Sequence, residues 1–134
     1  MKIKDETMVA FYQVLGRVFY AAAQADNVIK QEEVDVMKKV VQDVWIDVDE
    51  TFDEFNTDSA YQIEIVFDYL LSNDVVVEDI IFELREFKKI HSSLFTKKMN
   101  ELILSTANKI TSSFAQKNKS ELVFLSQLQL ALNK

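Results

Sequence analysis

Apolar residues recur at intervals of three and four along most of the chain, the spacing that lines them up on one stripe of an α-helix. Met8, Phe11, Tyr12, Leu15, Val18, Phe19 and Ala22 form the first stripe and predict a helix over about 5–24. Val34, Met37, Val41, Val44 and Trp45 form the second, over about 31–45. Between them stands Asp26-Asn27, where an asparagine can take the left-handed conformation that ends a helix. Ile63, Val66, Phe67, Leu70 and Leu71 predict a third helix, capped by Thr57 or Asp58 and closed at Asn73-Asp74. Val75-Val76-Val77 has strand propensity, but it is short and has no sheet partner elsewhere, so it reads as the buried start of a fourth helix. That helix follows Ile80, Leu84, Phe87, His91 and Leu94. Thr96 is placed to cap a fifth, along Met99, Leu102, Ile103, Thr106, Ile110 and Phe114. Asn118-x-x-Glu121 has the form of a capping box and opens a last helix along Leu122, Leu125, Leu128 and Leu132. The pattern therefore predicts an all-α bundle of six or seven helices, joined by short connections that favour antiparallel neighbours.

Composition supports that fold and removes most chemistry. The 134 residues suit one domain, residues 1–134, and 49% hydrophobic residues with ten Phe supply a core that needs no metal or disulfide. One Gly, no Pro, no Cys and one His remove the Gly-rich phosphate loops, the serine elbow, thiol nucleophiles, zinc ribbons and HExxH sites. No enzyme is expected. His91 lies on the apolar stripe with no second imidazole and reads as a packed side chain. Trp45, Phe52 and Phe55 stand at helical spacing and read as core before they read as a partner groove. No segment approaches the roughly 20 apolar residues of a membrane span, and Asp5 and Glu6 interrupt a signal-peptide pattern, so a cytoplasmic protein without direct membrane insertion is expected.

The formal net charge is −7 and it is unevenly spread. Residues 1–79 hold 18 acids against 6 Lys/Arg, whereas residues 80–134 hold 4 acids against 9. Seven of the acids lie between Asp43 and Asp58 without a base, which reads as a solvated connector holding a short helix on Val48, Phe52 and Phe55. Arg85, Lys88, Lys89, Lys97 and Lys98 form the basic counterpart, and the two halves suggest a head-to-tail homo-oligomer. No aromatic–basic interleaving or recognition-helix pattern accompanies these lysines, so no nucleic-acid partner is expected.

The junction of the first two helices carries the one motif with chemistry, Ala25-Asp26-Asn27-Val28-Ile29-Lys30-Gln31-Glu32-Glu33. Aligned with a calcium-binding EF-hand loop, Asp26 takes position 5 and Glu33 the final bidentate position, but the first and third positions fall on Ala22 and Gln24. A complete calcium cage is thereby excluded. The spacing still brings Asp26 and Glu33, with Glu32 and Asp35 nearby, to a helix N-terminus, where they are either metal ligands or carboxylates favoured by the helix dipole.

With the small-residue run Ala21-Ala22-Ala23 before it, this segment resembles the A-D-G-x-I-x-x-x-E signature of TerB-like domains, the family named for tellurite resistance proteins. The resemblance spans most of the chain and implies an all-helical domain with a second copy of the motif at the last helix junction. There Glu121 matches, whereas Phe114 stands where the family has Asp, and in the first copy Asn27 replaces Gly. It further implies a non-enzymatic interaction or scaffold domain in stress response that binds a protein partner. The alternative is a divalent-metal sensor with Asp26, Glu33 and Glu32 as ligands and no other cofactor. A hydrolase built on paired carboxylates is a third class, but nothing in the sequence places its cleft.

Overall fold

Helix α1 (Asp5–Gln24) is the axis of the molecule because its apolar stripe is wide enough to serve several neighbours at once. In a computed structural model describing residues 5–25, 28–47, 58–112 and 118–133, α1 packs against α3 (Gln62–Ser72), α4 (Ile80–Ile90), α5 (Lys97–Ser112) and α6 (Lys119–Leu132). The remaining helix, α2 (Gln31–Asp43), lies against α5 and α3. The described residues thus form six α-helices and three short 3-10 turns, with no strand among them, and the expected all-α fold is the one observed. Among the described residues no helix is long and apolar enough to cross a membrane.

The core is aromatic at its centre. Phe11, Tyr12, Leu15, Phe19 and Trp45 are all fully buried, and Tyr12 and Trp45 meet edge to face with ring centroids 6.1 Å apart. Trp45 Nε1 donates to Thr106 Oγ1 on α5 at 3.0 Å, and that hydroxyl donates in turn to the Leu102 carbonyl at 2.8 Å, so both polar groups are satisfied. Gly16 sits where α1 packs against α3. A Cβ built there would lie 2.9 Å from the Ile63 carbonyl oxygen and 2.9 Å from Val66 Cβ, so only glycine allows this crossing.

Several boundaries differ from expectation for identifiable reasons. Helix α2 ends at Asp43, and Trp45 occupies a 3-10 turn, Trp45–Asp47, that aims its indole at Thr106. Asp58 caps a 3-10 turn, Ser59–Tyr61, ahead of α3, with its Oδ1 accepting from the Ala60 amide at 3.0 Å; Thr57 lies outside the described residues. The connector positions Val48, Phe52 and Phe55 also lie outside them, as does Phe114.

Residues 75–78 are not a buried helix start. They form an irregular segment in which Val76 is 69% exposed, held by α1 side chains that satisfy its backbone. Tyr20 Oη and Gln24 Nε2 both donate to the Val75 carbonyl, at 2.7 and 2.8 Å, while Gln24 Oε1 accepts from the Val77 amide at 3.2 Å. Burial pushes the Tyr20 phenol above its usual pKa, and the nearby Asp74 carboxylate adds to the shift. Asp74 and Asp79 flank the segment with φ of 48° and 56°, and α4 begins directly after.

Helix α4 stops at Ile90, one residue short of His91, and Leu94 falls on a following 3-10 turn, Ser92–Leu94. The His91 ring is half-buried and lies 4.5 Å from the Phe87 ring, as a packed side chain should. Thr96 caps α5 as expected, its hydroxyl accepting from the Met99 amide at 3.1 Å.

Candidate functional site

At the first acidic junction the chemistry of the two glutamates separates. Glu33 is buried at 3% exposure, the third residue of α2, and its Oε1 accepts from the Lys30 backbone amide at 2.8 Å. A carboxylate in that position satisfies one of the helix-start amides and stands at the positive end of the helix dipole. Glu32, one residue earlier, is exposed. Asp26 lies outside the described residues. Among the described residues no group of three or more His, Asp or Glu side chains comes together as a metal cage would require.

The last helix junction repeats this arrangement. Glu121 is the third residue of α6, is also 3% exposed, and accepts from the Asn118 amide at 3.0 Å; its own amide donates to Asn118 Oδ1 at 2.9 Å. This is a complete capping box, as the sequence predicts. Lysine at position 30 can supply no side-chain acceptor, so only the glutamate half forms at α2. The two glutamates that carry the motif thus both close a helix start from inside the protein.

Elsewhere two ion pairs join neighbouring helices. Arg17 on α1 reaches Glu83 on α4 at 3.0 Å, and Lys38 on α2 reaches Asp68 on α3 at 3.3 Å. Glu64 lies beside the second pair. Burial pushes its carboxyl above the usual range and Asp68 adds to the shift, while Lys38 and a hydrogen bond from Gln42 oppose it.

Among the described residues, an unfilled surface runs along α4 and α6. Residues 122–133 contain no charged side chain, and their apolar residues surround the helix rather than marking one stripe. Leu128, Ala131 and Leu132 face the core. Leu122, Val123 and Leu130 face outward, each about half exposed, at 53%, 47% and 54%. Leu122 is therefore not the core position its spacing suggests. Across from Val123 lie Phe82, 65% exposed on the first turn of α4, and Val76 in the irregular segment. These three residues, with Ala21, Ile80 and Phe124, wall a groove of about 580 Å³ whose polar edges include Gln24, Asp79 and Gln127.

A second hollow, about 310 Å³, continues along the same pair of helices, lined by Arg85, Lys88 and Lys89 from the later turns of α4 and by Ala131 from the end of α6. The first halves of the two helices line one hollow and their last turns line the other, so α4 and α6 run in the same direction. Lys88 fixes that register. Its ammonium donates to the carbonyls of Ala131 and Leu132, at the negative end of the α6 dipole, where Asn100 Nδ2 also donates to Leu132 at 3.0 Å. The seam thus has an apolar end and a basic end.

The sequence pattern did not single out this groove, although the charge-free run after Glu121 is a signal that points to it. Comparison of the chain with protein-family models, with curated proteins and with solved structures gives no match.

Proposed function

We propose that this protein is a non-enzymatic, cytosolic interaction module of the TerB-like kind, whose working surface is the seam between α4 and α6. The observation that carries the reading is the exposed apolar set Val76, Phe82 and Val123 around one concave groove. Isolated apolar residues are ordinary on a protein surface, but a contiguous set lining a hollow marks a binding surface. None of these side chains belongs to the buried core or to the apolar residues packed against it. A role as a scaffold in stress response follows from the resemblance of the Ala25–Glu33 segment to TerB-like domains.

The divalent-metal reading of that segment draws no support from the described residues, because the buried Glu33 is engaged by the Lys30 amide. The groove is tested by titrating isotopically labelled protein with a neutral amphipathic helical peptide of Leu, Ala and Gln. Amide signals of Phe82, Val123 and Gln127 are expected to move, and Val123→Asp to abolish the effect. Shifts absent at these residues, or unchanged in the variant, would overturn the proposal.

A further inference from the structure

The seam carries information about the charge of its occupant. Along α4, Phe82, Arg85 and Lys89 stand at intervals of three and four and so share one face, about 10 Å from first to last. The α6 side offers Val123, Gln127 and Ala131 at intervals of four and contributes no charge. At the apolar end the groove is edged by the Asp79 carboxylate; at the other end it is lined by three cations, Arg85, Lys88 and Lys89. Lys89 pairs with Glu86 at 2.7 Å, which leaves the basic end with an excess of positive charge. Lys89 is well exposed and Glu86 about half exposed, so the pairing adds little to stability and leaves the Lys89 ammonium accessible to a second carboxylate.

Resting on the interaction reading above, we propose that the occupant is an amphipathic helix of a separate protein, with apolar side chains in the groove and a carboxylate cluster over Arg85 and Lys89. A helix suits the seam because two parallel helices with a hollow between them receive a third through residues at i, i+3 and i+7. Its polarity is fixed by the charges. The acidic end lies toward the end of α4, away from Asp79, so the opposite placement brings carboxylates together.

The experiment compares three peptides sharing one Leu/Ala/Gln apolar face, one neutral, one with three Glu in the last turn and one with three Lys there. Binding is measured on the full chain at low salt. The Glu peptide is expected to bind at least roughly tenfold more tightly than the Lys peptide, with the preference largely gone at about 1 M salt, where charges are screened beyond about 3 Å. Arg85→Glu with Lys89→Glu should reverse the preference while leaving the neutral peptide's affinity in place. Equal binding of all three would overturn the acidic occupant but leave the groove reading standing, whereas no binding of any would overturn both. Sedimentation of the free protein settles the remaining outcome: a dimer that dissociates in Val123→Asp would make the occupant a second copy and overturn the separate partner.

Discussion

Helices α1 and α6 are both rich in apolar residues, yet the fold uses them differently. The α1 stripe of Met8, Phe11, Tyr12, Leu15, Val18 and Phe19 is buried throughout, and the helix touches four others. Helix α6 buries Leu128, Ala131 and Leu132 but leaves Leu122, Val123 and Leu130 half exposed. Apolar content buried in the core explains stability; the half-exposed Val123 at the concave seam is part of the observation on which the proposed partner rests.

The largest loss of stability is expected from α1. Phe11→Ala removes a fully buried ring packed against Tyr12, Phe87 and Phe95, and should cost about 3–5 kcal/mol in urea unfolding. Gly16→Val comes next. Its Cβ meets α3 backbone at 2.9 Å, so overpacking should cost about 1–3 kcal/mol, read as a lower melting temperature.

The two helix starts provide a smaller and sharper test. Glu33→Ala and Glu121→Ala each remove the acceptor of one helix-start amide, and each should cost about 1 kcal/mol, on the scale of a lost cap. Equal losses in thermal melts, unaffected by added Ca²⁺, Mg²⁺ or Zn²⁺, are the expected outcome. Metal-dependent stabilisation that disappears only in Glu33→Ala would instead make the first junction a binding site, since a ligand at about 100 times its Kd adds about 2.7 kcal/mol.

Glu64 gives the smallest of these effects and sets its pH dependence. Its folded pKa is raised, so the native state holds a proton that the unfolded chain releases as pH rises past the ordinary carboxylate value. Stability should therefore fall as pH rises from that value through the raised one, then stay lowered. Glu64→Gln should abolish this decline and be more stable than wild type at neutral pH, with the gap closing at low pH.

Most of the fold was legible because helical periodicity and caps are local. The Thr96 and Asn118 caps and the limits of α1 follow from spacing alone. What was not legible depended on distant partners. Trp45 leaves the α2 pattern to reach Thr106, 61 positions away, and residues 75–78 stay irregular because Tyr20 and Gln24 satisfy their backbone. At the candidate sites, Glu33 and Glu121 were legible as helix-start carboxylates, whereas the groove was not. Leu122 matched the helical spacing as well as Leu128 did, and only the tertiary packing distinguishes the exposed residue from the buried one.

The most direct test of the account is the unfolding free energy, in urea, of the double variant Val123→Gln with Leu130→Gln beside wild type. If this face is surplus to the fold, each substitution should change stability by no more than about 0.5 kcal/mol, while binding of the amphipathic peptides is lost. A loss of several kcal/mol, on the scale expected for Phe11→Ala, would show that the α6 face belongs to the core and would contradict the account.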